Sequence, residues 1–442
     1  MRVAAPKILM RRGLENPETS HTLDAYEAAG GYRSVRKALG MDPDAIVDVV
    51  KASGLRGRGG AGFPTGTKWS FIPRDSEKPK YLVCNSDESE PGTFKDRWLL
   101  EKDPHLVIEG MMICAIAIDC HLMFNYFRGE FSHPLKRFQA AVDEAYAKGY
   151  LGKGIFDSDY DLDLVTHFGA GAYIAGEETG MLESLEGKKA MPRNKPPFPA
   201  IEGLFRCPTV INNTETLAAL PWILENGGDA YAALGTEESS GTKMWSCSGP
   251  VNAPGVYEVE MGVDMMEFLE GELGGMMEGV ALKAVVPGGS SVPIMTPEEC
   301  DGAKLSYEGL QQRGSMVGSG GFMVIGDNVS VPAALMNLAH FYAHESCGQC
   351  TPCREGCGWI EQLCRKLLDG RGTQGDVERI LRLADNMAGG NTICALADAM
   401  AWPAVSYVKK FPQEFLDLCT GPVDLEALDE ALSRHVHVLP AA

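Results

Sequence analysis

The sequence has no long apolar run. Its best, Met111 to Ile118, is eight residues, far short of the roughly 18 that a membrane-spanning helix needs. The N-terminus carries Arg2, Lys7, Arg11 and Arg12 but no apolar signal core, and Glu15 follows at once, so no secretory signal is read. Positive charge is scarce. There are 40 Lys+Arg against 60 Asp+Glu, a net charge of −20. That argues against a broad nucleic-acid surface, which needs clustered positive charge, but leaves room for a small basic pocket around a phosphate. The nine histidines form no H-x-x-H or H-E-x-x-H arrangement, and Ser–His–Asp catalysis has no anchor. No internal repeat or low-complexity tract is present.

What is there is an ordinary globular composition, 45 % apolar and 23 % charged over 442 residues, long enough for two to four domains. Cysteine is plentiful, with 13 in all, and Cys347, Cys350, Cys353 and Cys357 lie close together. Disulfide-stapled secreted chains are usually much shorter, so clustered thiols here point to metal. The spacing C-x2-C-x2-C fits successive corners of an iron–sulfur cubane; zinc is the lesser reading. The fourth corner is open. Cys357 completes a ferredoxin-like run, but in that fold the fourth cysteine serves another cluster, and Gly358 stands where proline is usual. A remote ligand is the alternative, and Cys394 is the best candidate.

Alternating patterns predict an α/β sheet domain up to about residue 235. A helix fills 43–50, strands are expected at 80–85, 121–128 and 161–168, and helices at 104–118 and 134–148. Short strands with turn signals follow at 244–250, 254–259, 284–289 and 322–325, a small β-rich module. After Val331 the pattern is helical.

Two glycine-rich segments bracket this sheet. Gly169-Ala170-Gly171 to Gly176-Glu177-Glu178-Thr179 follows a predicted strand and opens a helix, which places backbone N–H groups at a ligand phosphate. Its spacing is not the dinucleotide fingerprint, and a mononucleotide such as FMN fits at least as well. The other segment, Arg56 to Gly66, matches G-x-G-x-x-G only formally, because a helix precedes it. It reads as a glycine wall that lets a flat ligand approach the backbone, beside Phe63. Lys188, Lys189, Arg193 and Lys195 form a basic stretch, either a solvated face or a phosphate pocket. Asn212-Asn213 offers amides to a flavin, or merely a turn.

Five motifs in one order carry a resemblance: the loop 56–66, Asn85-Ser86-Asp87-Glu88-Ser89-Glu90-Pro91-Gly92, Gly176-Glu177-Glu178-Thr179, Lys195-Pro196-Pro197-Phe198-Pro199, and Glu345-Ser346-Cys347 onward. From about residue 20 to 420 the chain closely resembles the NADH-binding flavoprotein subunit of respiratory complex I, the 51-kDa type. The resemblance implies FMN, one [4Fe–4S] cluster and NADH as substrate. It implies an N-terminal region with the Gly-rich loop (1–75), a Rossmann-like α/β FMN/NADH domain (76–240), a ubiquitin-like β-grasp module (241–330) and a C-terminal helical bundle holding the cluster (331–442). It places Gly59, Gly60, Lys68, Asn85, Asp87, Glu88, Gly176, Glu177, Asn212 and Asn213 around FMN. Phe63, Phe71, Glu90, Glu178, Lys195 and Phe198 fall around NADH. Cys347, Cys350, Cys353 and Cys394 fall on the cluster. Two departures stand out: Thr214 where valine is common, and Gly180 where Ala or Leu is usual, which is expected to loosen the helix after the phosphate loop.

The implied reaction is hydride transfer from NADH to FMN, with single electrons leaving through the cluster toward quinone. No general base is expected. Glu90 and Glu178 are expected to oppose a 2′-phosphate and so favour NADH over NADPH. Implied partners are a thioredoxin-like [2Fe–2S] subunit and a large iron–sulfur subunit, in a peripheral arm on the cytoplasmic face of a bacterial membrane, or the matrix side in a mitochondrion. The alternative is the diaphorase subunit of an NAD-linked hydrogenase or formate dehydrogenase. Such chains often carry extra cysteine runs or a fused domain, for which neither end here has room.

Overall fold

The computed structural model describes residues 7–434. Four strands, β1 (Tyr81–Ser86), β2 (Leu122–Phe127), β3 (Asp163–Phe168) and β4 (Thr209–Asn213), form a sheet in the order β3-β2-β1-β4. All neighbours are parallel. Parallel strands need both faces covered, and the helix Pro104–Ile118 supplies part of that cover. Every one of its residues is buried. This explains the best apolar run in the sequence: a helix apolar all round is a core helix. Among the described residues no helix is long and apolar enough to cross a membrane.

The sequence pattern anticipates β1, β2 and β3 to within a few residues. It misses β4, whose five residues end in Asn212-Asn213 and run straight into the helix Thr214–Ala218. It also merges two elements after β3. A 3-10 turn, Tyr173–Gly176, precedes the helix Glu178–Leu185.

A second sheet holds β5 (Thr242–Ser248), β6 (Gly255–Glu260), β7 (Leu282–Val286) and β8 (Gly321–Gly326) in the order β6-β5-β8-β7. Its central pair β5/β8 is parallel and its edge pairs are antiparallel, the arrangement of a β-grasp. The helix Met265–Gly271 buries Met265, Phe268 and Leu269 on it, with Phe268 edge-on to Phe322 at 5.5 Å between ring centroids. Helices Val331–Glu345, Thr351–Leu368, Gln374–Met387 and Leu396–Lys410 then share one apolar core.

Side chains of the N-terminal segment join the core of the parallel sheet, from Ile8 through Trp69. The segment is also tied to the β-grasp. The buried Glu258 carboxylate of β6 accepts from the backbone N–H groups of Ile8, Leu9 and Met10 at 2.9–3.0 Å.

Where the two sheets meet, charge is buried. Glu215 accepts from Lys95 at 2.8 Å and from Lys243 of β5 at 2.7 Å, and all three side chains are fully buried. Lys95 also pairs with Asp96 at 2.8 Å. Asp96 in turn accepts from Asn213 Nδ2 at 2.7 Å. Lys243 donates further to the carbonyls of Met244 and Ser319. Burial drives the Lys243 ammonium down to about 7 even beside Glu215, whereas the carboxylates around Lys95 outweigh its burial and hold it charged. Removing one partner of such a set leaves an uncompensated buried charge. We therefore expect Glu215→Ala to cost about 3–5 kcal/mol in a denaturant unfolding experiment; a loss below ~1 kcal/mol would be the size of an exposed pair.

Candidate functional site

The chain runs outward from β1 through β2 to β3, then returns to pair β4 with the other side of β1. Strand order reverses there, and ligands of open parallel sheets bind outside the carboxyl ends of the strands at such a point. The sequence motifs meet at that edge. Asn85, at the end of β1, donates from Nδ2 to the Gly176 carbonyl at 2.9 Å and accepts from Asp87 N–H at 3.0 Å. Asn212 accepts from Trp69 Nε1 at 2.8 Å. Asn213 caps the helix Thr214–Ala218 through Glu215 N–H.

The Gly-rich loop closes this edge from above. It is a hairpin, with Gly57 N–H on the Phe63 carbonyl at 2.9 Å and Thr65 N–H on the Leu55 carbonyl at 2.8 Å. A side chain at Gly59 would put a carbon 2.8 Å from Asn213 Cβ, so glycine there is a condition of closeness. Gly60 faces open space. A wall without side chains, beside unoccupied space and amide groups, fits a flat ring and a phosphate. Arg58, buried within the loop, donates to the Ser240 carbonyl at 2.6 Å and Tyr231 Oη at 3.3 Å. Tyr307 of the β-grasp braces the loop from behind, with its hydroxyl on the Gly57 carbonyl at 2.9 Å and the Arg56 guanidinium 3.9 Å over its ring.

Glu177 caps the helix Glu178–Leu185 through Thr179 and Gly180 N–H. Glu178 lies between two lysines, Lys68 at 3.2 Å and Lys195 at 2.6 Å. Burial raises its pKa, but the two lysines outweigh burial and hold it below the ordinary value. Phe63 and Phe71 stand half-exposed with ring centroids 6.1 Å apart. Phe198, 58 % exposed, sits on the Lys195–Pro199 turn, and no ring contact joins it to those two among the described residues. Of the basic stretch, only Lys195 reaches Glu177 and Glu178. Lys188 and Arg193 pair with Glu183 and Glu186, so that part is a self-neutralised face.

Glu90 is held from three sides. It accepts from Tyr173 Oη at 2.6 Å, Ser291 N–H at 2.7 Å and Ser290 Oγ at 3.3 Å. Glu88 does not turn toward the loop. Its oxygens accept from Asp96 and Arg97 N–H at 2.8 and 3.0 Å, so it caps the helix Lys95–Lys102.

The four thiols of Cys347, Cys350, Cys353 and Cys394 line one cavity with Ser346, Ile174 and Ile393. Cys350 precedes the helix Thr351–Leu368. Its Sγ accepts from Ile393 N–H at 3.4 Å, and Ser346 Oγ is 3.2 Å from Cys353 Sγ. Among the described residues no three Cys, His, Asp or Glu converge closely enough to chelate one ion. Four thiols around one cavity match the donor set of a [4Fe–4S] cluster, which takes one thiolate at each of its four corners. Cys357 lies one helical turn beyond Cys353, has no solvent exposure and belongs to the helical core; it does not line the cavity.

Two family descriptions match the chain. The Nuo51 FMN-binding domain matches residues 50–222, and the NADH-ubiquinone oxidoreductase-F iron–sulfur binding region matches 333–418. The NADH-quinone oxidoreductase F 2 subunit of Rhizobium meliloti is 48 % identical over 409 residues, covering 92 % of this chain and 96 % of that protein. The corresponding F subunit of Mycobacterium bovis is 47 % identical over 414 residues, covering 92 % of each. The chain belongs to the family of NADH-quinone oxidoreductase F subunits. Among solved structures, an NAD+-reducing [NiFe]-hydrogenase in its H2-reduced state is similar, with a TM-score of 0.82 and 33 % identity over 98 % of this chain and 70 % of that one. As a member of that family, the chain is an oxidoreductase whose cofactors are FMN and an iron–sulfur cluster. The FMN-binding match takes in the whole parallel sheet, and the iron–sulfur match lies in the helical bundle.

Two features of the chain escape the sequence. Thr214 is no neutral replacement of valine. Its buried hydroxyl is 2.8 Å from Ser86 Oγ and donates to the Asn85 carbonyl at 3.1 Å, clamping β1 to the chain leaving β4. Gly180 has a packing role in its helix. A side chain there would stand 2.7 Å from the Ile174 carbonyl oxygen, so glycine lets the 3-10 turn pack on the helix. Gly180→Ala is expected to destabilise by about 1–3 kcal/mol in chemical unfolding; a stabilised variant would restore the helix-propensity reading.

Burial pushes Asp87 up to about 7, with the Ser89 hydroxyl and Arg128 opposing and Glu130 and Glu345 adding to it. The folded chain thus holds this proton more tightly than the unfolded chain, where Asp titrates near ~3.9. Its contribution to stability is full below about pH 4 and is lost as pH rises through about 7. Asp87→Asn should flatten the fall in stability across that window, read as unfolding midpoint against pH; an unchanged slope would show that Asp87 titrates normally.

Proposed function

We propose that this chain is the electron-input subunit of a respiratory NADH-quinone oxidoreductase, oxidising NADH at a flavin and passing electrons on through one [4Fe–4S] cluster. The observation that carries this is the meeting of the Gly-rich loop, Asn85, Asn212, Asn213 and Gly176 at the switch point of the parallel sheet. Gly59, Gly60, Lys68, Asn85, Asp87, Gly176, Glu177, Asn212 and Asn213 hold FMN. The small residues around Gly176 let its phosphate approach the backbone, and Lys68, paired with Glu178 and the Ile211 carbonyl, stands beside it. Glu88 acts one step away, by fixing the helix that carries Lys95 and Asp96. When bound, FMN supplies a hydride acceptor that can pass electrons on singly, and the cluster supplies a one-electron carrier.

The chain's own task is orientation. Phe63, Phe71 and Phe198 offer aromatic faces to the bases of NADH, while the glycine wall lets its nicotinamide come close. Glu90 and Glu178 receive ribose hydroxyls or the amide. Glu178 is already neutralised by Lys68 and Lys195, so discrimination against a 2′-phosphate falls chiefly to Glu90. Cys347, Cys350, Cys353 and Cys394 hold the cluster, and Cys357 is core.

The domain division at about residues 75, 240 and 330 is part of this reading. So are the partners, a thioredoxin-like [2Fe–2S] subunit and a large iron–sulfur subunit, and a place in a peripheral arm at the cytoplasmic membrane face. The diaphorase of an NAD-linked hydrogenase is the second reading, favoured by the hydrogenase likeness at 33 % identity. The relatives at 47–48 % favour the first.

Anaerobic titration of the purified chain tests the reading. NADH should bleach the flavin and develop a cluster EPR signal, with NADPH doing little. A flavin-free protein carrying zinc would overturn it. Glu90→Gln should lower the NADH over NADPH preference in kcat/KM by roughly tenfold, about 1.4 kcal/mol; an unchanged ratio would assign discrimination elsewhere. Cys394→Ser should lose the cluster signal while Cys357→Ala keeps it; the reverse pattern would make Cys357 the fourth ligand.

A further inference from the structure

The chain carries a net charge of −20, yet one groove is strongly basic. It lies between the helices Thr351–Leu368 and Gln374–Met387 and is an open groove of about 790 Å³. Its walls follow helical spacing on both sides. Trp359, Gln362, Leu363 and Lys366 form one i, i+3, i+4, i+7 stripe, and Arg379, Arg382, Leu383 and Asn386 form the other. Arg365 and Arg371 complete the rim.

Among the described residues, three carboxylates pair with four of these five cations. Glu361 pairs with Arg365, Asp369 with Arg371, and the buried Asp376 with both Lys366 and Arg379. Arg382 is exposed and has no ion pair among the described residues. Trp359 is 50 % exposed beside them. An exposed tryptophan sharing one groove with four arginines is the composition of a binding hot spot rather than of a solvated face.

We infer that this groove is a docking site for an acidic segment of another subunit, a helix or strand bearing carboxylates on either side of an apolar side chain that covers Trp359. The inference rests on the reading of the chain as one subunit of a larger complex and adds a location and a chemistry to it. The occupant follows from charge complementarity and shape. The cations face inward from two helix walls, and a concave groove offers them to an inserted segment but not to a flat anionic membrane. A second copy of this acidic chain is the other candidate.

The test uses the complex as isolated. A photo-crosslinking residue replaces Trp359, and the crosslinked peptide is identified by mass spectrometry. In parallel, Arg371→Glu/Arg382→Glu is compared with Lys136→Glu, an exposed reversal outside the groove, for release of this subunit as NaCl is raised. Binding to vesicles containing phosphatidylglycerol is measured on the free chain. The expected result is a crosslink to an acid-rich peptide of a different subunit. Release of the double variant should then come at severalfold lower NaCl, Lys136→Glu should behave as wild type, and vesicles should not bind. NADH–ferricyanide reduction and bound flavin should be unchanged in all variants, which separates this inference from the flavoprotein reading itself. A crosslink to this chain, vesicle binding abolished by the double variant, no crosslink, or wild-type salt release would each overturn it.

Discussion

The structure depends on one buried set of charges, Glu215 between Lys95 and Lys243. Ion pairs of this kind add little net stability, since desolvation offsets much of the attraction. What they add is a fixed arrangement. Lys95 and Asp96 open the helix after β1, Glu215 opens the helix after β4, and Lys243 comes from β5. The three therefore fix the switch-point edge of the parallel sheet against the β-grasp. Arg58 threads the Gly-rich loop into the same region, through Thr216, Tyr231 and the Ser240 carbonyl. A loop rich in glycine has little conformational preference of its own. Here it is held by what its one buried arginine and its carbonyls can reach.

The two cofactor regions are built on different physics. The flavin edge is polar and relies on backbone groups at strand and helix ends, so its side chains are largely occupied in holding one another. Asn85, Glu177 and Asn213 each satisfy a backbone group of this chain. The cavity of the four thiols is walled largely by apolar groups, Ile174, Ile393 and Leu396 among them, with Ser346, Gln349 and Thr392 as its polar lining. Ile174 also belongs to the 3-10 turn before Glu177, so the two regions are separated by a few residues of chain. Tyr173 strengthens that link, with its hydroxyl on Glu90 and its N–H donating to Glu345 at 2.9 Å.

Much of this was legible in the sequence, for identifiable reasons. Apolar periodicity marks β1–β3 and the helices between them, and cysteine spacing marks the cluster loop. The strand β4 was illegible because it is short and ends in two asparagines, which read as a turn. Gly180 reads by helix propensity and Thr214 only as a departure from valine, while their roles depend on tertiary partners, Asn85 and Ser86 for Thr214 and Ile174 for Gly180. Glu88 shares a motif with Asn85 and Asp87, and only the fold shows its carboxylate turned to a helix N-terminus. Spacing alone does not tell whether Cys357 or Cys394 lines the cavity, because that depends on which side of a helix faces it.

On this reading the buried charges hold the flavin edge in place. Lys243→Met tests it most directly, because it severs the β-grasp from Glu215 yet leaves Lys95 to neutralise that carboxylate. The measurement is the FMN dissociation constant of the variant, with the cluster EPR signal as an internal reference. The account predicts clearly weaker FMN binding with an unaltered cluster signal. Wild-type FMN affinity in a variant that has lost this tie would contradict it.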